Sequence, residues 1–317
     1  MRALVTALIA LAAGPALAQD FPLTIEHKFG QSVIEAAPER VATVDYNGAD
    51  NLLALGLQPV VVRDWFGDQP RAVWPWADAL LDETPEILSG ELNFEQIAAA
   101  EPDLITAVWS GITPEDYERL SQIAPVVAVP EGTADYALGW KDQALIVGRA
   151  VGRADEAEAQ VVAIEDRIAA MRDAHPEWAG KTTTLATYWD GQPGIYLRDD
   201  SRVLLLSELG FANNPVVEEL SDDMNFYADV SEERIEAFDS DLLLWFADAY
   251  LDEMQDIAFR PALDAVQEGR ELFLGRQMTS AFSHTSLLSL PYLFDTLEPR
   301  LEAAFDGGIP EADRITE

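Results

Sequence analysis

Short apolar runs alternate with amphipathic stretches along most of this chain. Residues 40–45, 59–62, 103–109 and 126–129 are β-branched and bounded by proline, glycine or acid, which predicts buried strands. Between them 49–55, 94–100 and 114–123 read as helices. The alternation resumes after Gly180, with strands at 182–188, 242–246 and 271–274 and helices at 201–209, 232–238, 261–266 and 286–304. Strand and helix in turn predict an α/β fold built on parallel sheets covered on both faces.

The middle of the chain divides the two halves. Residues 154–174 contain no glycine or proline, and Ala157, Val161, Ile164, Ile168 and Met171 recur at spacings of four and three, one apolar stripe on a charged helix. At 1.5 Å per residue the helix is roughly 30 Å long. Such a helix between two lobes makes a stiff joint, so closure on a ligand is expected to be small. The expected division is a leader at 1–18, an amino-terminal lobe at 19–138, a linking helical segment at 139–178 and a carboxyl-terminal lobe at 179–317. A weak repeat supports two lobes: Asn93-Phe94-Glu95-Gln96-Ile97 before Asp103-Leu104-Ile105 is echoed by Ser231-Glu232-Glu233-Arg234-Ile235 before Asp241-Leu242-Leu243, offset by 138 positions.

Met1 and Arg2, an apolar stretch to Leu17 and the small-residue site Ala16-Leu17-Ala18 have the form of a secretory signal peptide cut near Ala18. The stretch is shorter than the ~20 apolar residues of a membrane span, so export without stable membrane insertion is expected. The chain has no cysteine, hence no disulfide, thiolate metal site or lipidated anchor, which points to a free periplasmic protein. A formal net charge of −37 argues against nucleic acid and anionic lipid as partners.

Glu95 and Glu233 each fall two places after a polar cap, where a carboxylate meets the positive end of the helix dipole. Capping is the plain reading. The sharper one is a two-pronged acidic contact, one glutamate per lobe, with a two-fold membrane partner.

These residues also resemble a family. Ile25-Glu26-His27-Lys28-Phe29-Gly30, Pro38-Glu39-Arg40-Val41-Ala42, Ala54-Leu55-Gly56 with Pro59-Val60, Asn93 to Ile97, Glu101 to Ile105, and Val230-Ser231-Glu232-Glu233 resemble, in order, iron-siderophore and cobalamin periplasmic binding proteins of ABC importers. The resemblance runs from about Ile25 to Ala304. It implies two Rossmann-like lobes joined by a long helix, a ligand cleft between them, a monomer, and delivery to a permease dimer on whose arginines one glutamate per lobe docks. Glu95 and Glu233 match those positions, with Glu232 adjacent to the second.

Aromatic residues where strands end suggest the ligand. Tyr46, Trp65, Trp74, Trp76, Trp109, Tyr188, Trp189 and Tyr196 lie there, and in open α/β folds the loops beyond the carboxyl ends of strands form the binding crevice. Arg63, Arg198 and Arg276 flank those loops and could meet chelate oxygens or stack on rings. Core packing and surface charge are the alternatives for each. Rings with one or two arginines suit a neutral or weakly cationic ferric hydroxamate, and a resemblance of residues 286–299 to hydroxamate-type members leans the same way; haem and cobalamin are the alternatives within the fold. Only His27, His175 and His284 are present, without shared spacing, so iron is expected to arrive already chelated, with no cofactor and no metal held directly. An enzyme is the rival class. No Gly-x-Ser-x-Gly elbow or phosphate-cradling glycine loop occurs, which disfavours a hydrolase.

Overall fold

The computed structural model describes residues 21–222 and 225–316; the leader expected at 1–18 lies outside the described residues. After an antiparallel hairpin, β1 (Leu23–His27) with β2 (Gly30–Ile34), the first lobe contains β3 (Val41–Thr43), β4 (Val61–Arg63), β5 (Glu86–Leu88), β6 (Leu104–Ala107) and β7 (Val126–Ala128). These five strands form one wholly parallel sheet in the order β5-β4-β3-β6-β7. Every residue of β3, β6 and β7 is buried, which is why they read as continuous apolar runs rather than as an alternation.

The second lobe contains β8 (Thr182–Trp189), β9 (Gln192–Tyr196), β10 (Ala212–Asn213), β11 (Tyr227–Asp229), β12 (Leu242–Phe246), β13 (Glu271–Leu274) and β14 (Ile315–Thr316). Strands β10, β12, β13 and β14 extend β8 in parallel, while β9 runs antiparallel to both β8 and β11. The antiparallel strand is illegible in sequence because Gln192–Tyr196 includes Pro193 and Gly194, residues that ordinarily argue against a strand interior.

Three expected helices differ. The stretch 232–238 holds only a 3-10 turn, Ile235–Ala237. There the Glu233 amide donates to the Ser231 hydroxyl at 3.3 Å, a local turn that competes with helical hydrogen bonding. The stretch 261–266 is split into a 3-10 turn, Arg260–Ala262, and a short helix, Asp264–Gln267. The expected terminal helix begins at Ser289 and reaches Phe305; before it lies a helix, Arg276–His284, hidden by its run of small polar residues.

The helix Ala154–Ala174 buries the five stripe residues anticipated from spacing. They join an apolar cluster that runs without a break from Ile34, Val41 and Leu104 of the first lobe to Leu185, Leu244 and Leu293 of the second. Separate clusters fill the outer face of each sheet. Hydrogen bonds reinforce the joint: Asn47 Nδ2 donates to the His284 carbonyl at 2.7 Å, the Ser286 hydroxyl to Asp50 Oδ2 at 2.6 Å, and the Leu287 amide to Asn51 Oδ1 at 3.1 Å.

Candidate functional site

Strands β3 and β6 are neighbours whose onward connections run to opposite sides of the sheet, β3 to β4 and β6 to β7. Chain leaving their carboxyl ends therefore opens a crevice at the switch point, the usual ligand position in such sheets. Asp45 and Tyr46 follow β3, and Trp109 and Ser110 follow β6. The two exits are tied together: the Trp109 amide donates to Asp45 Oδ1 at 2.5 Å and the Tyr46 amide to the Trp109 carbonyl at 3.4 Å.

This crosslink sets a bowl of rings. Trp65 lies 5.5 Å from Tyr46 and 5.1 Å from Trp109, and Tyr136 lies 6.1 Å and 5.5 Å from the same two. Trp109 Nε1 donates to the Tyr136 carbonyl at 3.2 Å. The guanidinium of Arg63 sits 4.1 Å from the centre of the Tyr46 ring and donates to the Ser110 carbonyl at 3.2 Å. Gly111, at φ +64°, leaves room for Tyr136, whose hydroxyl would lie 2.0 Å from an added Cβ.

The second lobe closes the bowl with Tyr196, the segment Asp199 to Arg202, Asp222, Asn225 and Phe226, enclosing about 380 Å³. That volume is within the range of small-molecule sites. Arg202 lies 3.8 Å over the Tyr196 ring and grips Asp200 with Nε at 2.7 Å and Nη2 at 2.5 Å. Burial alone lowers the guanidinium pKa, but Asp200 and Tyr196 beside it reverse the sign and raise it, so Arg202 is a fixed cation. Asp135, Asp199, Asp200 and Asp222 also line the space, which leaves the wall acidic around one matched arginine. A larger open depression of about 710 Å³, lined by Arg40, Val60 and Glu86 among others, lies at the amino ends of β3 to β5, away from the crevice.

Of the residues singled out in sequence, Tyr46, Trp65, Trp109 and Tyr196 line the cavity, and Arg63 supports it from beneath Tyr46. The others lie elsewhere. Trp74 is only 3% exposed and stacks on Trp76 at 5.5 Å, in a second ring cluster around His284 at the lobe joint. Tyr188 packs with the outer core of the second lobe. Trp189 is 66% exposed at the β8–β9 turn. Arg198 is committed to Asp199 and Glu218, and Arg276 is exposed in the first turn of its helix. Sequence reasoning passed over Tyr136, Arg202 and Phe226. Tyr136 had a signal, since it follows β7 as Tyr46 follows β3; Arg202 opens a helix and had none.

Glu95 and Glu233 are exposed, and neither enters an ion pair among the described residues. Asn93 accepts the Gln96 amide at 3.1 Å, so the cap expected there is present and Glu95 is not needed for it. Each glutamate stands in the connection into a parallel strand, β6 or β12, near the carboxyl-end edge of its sheet.

Asp45 is fully buried, and burial pushes its carboxyl up to about 6 against the opposing pull of the Trp109 amide, Thr106, Thr43 and Arg63. A folded-state value above the unfolded value of 3.8 favours the folded protein when Asp45 is protonated. That contribution is present at low pH and lost as pH rises through about 6. Asp45→Asn, which keeps an acceptor for Trp109, is expected to remove about 1 kcal/mol of the stability difference between pH 5 and pH 7. Urea unfolding of parent and variant at both pH values checks this, and parallel pH profiles would refute it.

The family model described as "Periplasmic binding protein" matches residues 41–277. A probable siderophore-binding lipoprotein, YfiY, of Bacillus subtilis is 31% identical over 70% of this chain and 68% of its own. The Fe(3+) dicitrate-binding periplasmic protein FecB of Escherichia coli is 26% identical over 60% of this chain and 62% of its own. The crystal structure of Streptococcus pneumoniae PiaA in complex with ferrichrome superposes with a TM-score of 0.76 at 28% identity, covering 90% of this chain and 99% of that one.

Proposed function

Because the chain belongs to the periplasmic binding protein family, substrate-binding components of ABC transporters rather than enzymes, we propose that it captures a ferric siderophore in the periplasm and delivers it to a permease dimer. The iron enters as cargo within its chelate. Relatives described as siderophore-binding and a neighbour solved with ferrichrome support the ligand class. One observation within this chain narrows it: the cavity offers four aromatic rings of the first lobe, Tyr196 and Phe226 of the second, and, among the described residues, one lining arginine already matched by Asp200. An aspartate-lined wall repels a multiply anionic catecholate or citrate chelate and suits a neutral or weakly cationic hydroxamate.

Titration of the mature protein with ferric hydroxamates, ferric catecholates, ferric citrate, haem and cobalamin, followed by tryptophan fluorescence, tests the reading. Saturable quenching at one equivalent by the hydroxamates is expected, since Trp65 and Trp109 face the cavity. Tight binding of a catecholate, or of haem or cobalamin alone, would overturn the assignment. Arg202→Ala is expected to weaken hydroxamate binding about tenfold, through loss of a stacked donor and release of Asp200 as an uncompensated charge. Arg198→Ala, whose side chain points to Glu218, is expected to change it less than twofold.

A further inference from the structure

The long helix ends at His175, whose ring lies flat on that of the buried Trp178, centroids 4.1 Å apart and planes inclined by 13°. Nδ1 of this ring is 3.1 Å from Glu177 Oε1. An ionised carboxylate only accepts, so Nδ1 carries a proton, and in the neutral form of the ring Nε2 then carries a lone pair. Facing Nε2 are two carboxylates one turn apart on the terminal helix, Glu302 Oε1 at 3.3 Å and Glu298 Oε1 at 3.9 Å. Lone pairs that face one another need a shared proton or a cation between them.

The spacing suits a cation. The three ligand atoms lie within 4.8 Å of one another, and a tetrahedral ion bound at ~2.0–2.2 Å holds its ligands about 3.3–3.6 Å apart. Outer partners are also in place: Glu177 orients the imidazole, and Arg167 Nη2 holds Glu298 Oε2 at 2.7 Å, which frees Oε1. Such contacts fix the direction of metal ligands. Glu177, Glu298, Glu302 and Asp295, the last also paired with Arg167, outnumber the one guanidinium and leave negative charge for a dication to offset. We propose that His175, Glu298 and Glu302 bind a divalent transition-metal ion of the zinc type, with water completing the shell. The ion would clip the end of the long helix to the terminal helix, apart from the siderophore cavity.

The test adds zinc to the full mature chain, read by calorimetry and by NMR of nitrogen-15-labelled histidine. With three histidines in the chain, each ring is resolved by substitution. One equivalent of zinc is expected to bind, to shift His175 Nε2 and to leave His27 and His284 unmoved. His175→Gln and Glu302→Gln are each expected to weaken zinc at least tenfold without changing ferric-chelate affinity. Glu302 is 52% exposed, so its variant remains informative should His175→Gln fail to fold. Zinc binding untouched by both substitutions, or an unmoved and doubly protonated His175 at one equivalent of zinc, would leave only a histidine ion pair and overturn the proposal.

Discussion

Cells carrying Glu95→Ala together with Glu233→Ala are expected to lose at least 30-fold of their ferric-chelate uptake, while the purified double variant binds chelate within twofold of the parent. Both side chains are exposed, outside the cavity and free of intramolecular ion pairs among the described residues. They occupy matching places in two lobes, so a two-fold partner bearing arginines can meet both. Truncating one member of a charge pair buried by docking costs about 2–5 kcal/mol, and even the low end exceeds a factor of ten. Each single variant is expected to fall between parent and double variant. Radiolabelled-iron uptake, run beside a fluorescence titration, separates the two roles. Unchanged uptake would return both glutamates to surface charge, and lost affinity would move them into the ligand site.

Glu271→Ala is expected to destabilise the fold by about 3–5 kcal/mol. Glu271 is fully buried at the start of β13. Its Oε1 accepts from Trp245 Nε1 at 3.0 Å and Arg260 Nε at 2.8 Å, and its Oε2 from Arg260 Nη2 at 2.8 Å and Arg314 Nη1 at 3.4 Å. Alanine strands two guanidinium groups whose side chains are only 12% exposed, together with an indole N–H. The cost comes mainly from those unmatched charges rather than from lost attraction. Urea unfolding measures it, and a loss below 1 kcal/mol would show that water reaches the arginines. Because Arg260 and Arg314 sit on the far side of the second sheet from the cavity, chelate affinity in the folded fraction is expected to be unchanged.

Much of this architecture was legible because parallel strands buried on both faces leave continuous apolar runs such as Leu104–Ala107 and Leu242–Phe246. The stripe Ala157 to Met171 marked the joining helix for the same reason, since periodicity reports which face is covered. What escaped depends on contacts distant in sequence. Gln192–Tyr196 becomes a strand only because β8 and β11 flank it. At the cavity, the rule that ligands gather at strand ends pointed to Tyr46, Trp65 and Trp109 of the first lobe and Tyr196 of the second, all of which line it. It picked out no further lining residue in the second lobe, where the rest of the wall is built from the helix start around Asp200 and the approach to β11. Trp74 lies apart from this cavity, since a tryptophan beside a loop looks the same in sequence whether it faces a cavity or, as here, the joint between lobes.

The unbroken core that joins the lobes bears on the speed of capture. On the proposed reading, lobes joined by so continuous a core have little closing motion to wait for, and a chelate is expected to be admitted by side-chain rearrangement at the rim. Phe226, 54% exposed at that rim, is placed to turn on times of picoseconds to nanoseconds rather than the microseconds to milliseconds of domain motion, whereas Tyr136 is seated against Gly111 with its hydroxyl on the Ser110 carbonyl. Arrival is then expected to be governed by encounter, and preference among related chelates to be expressed in how long each one stays.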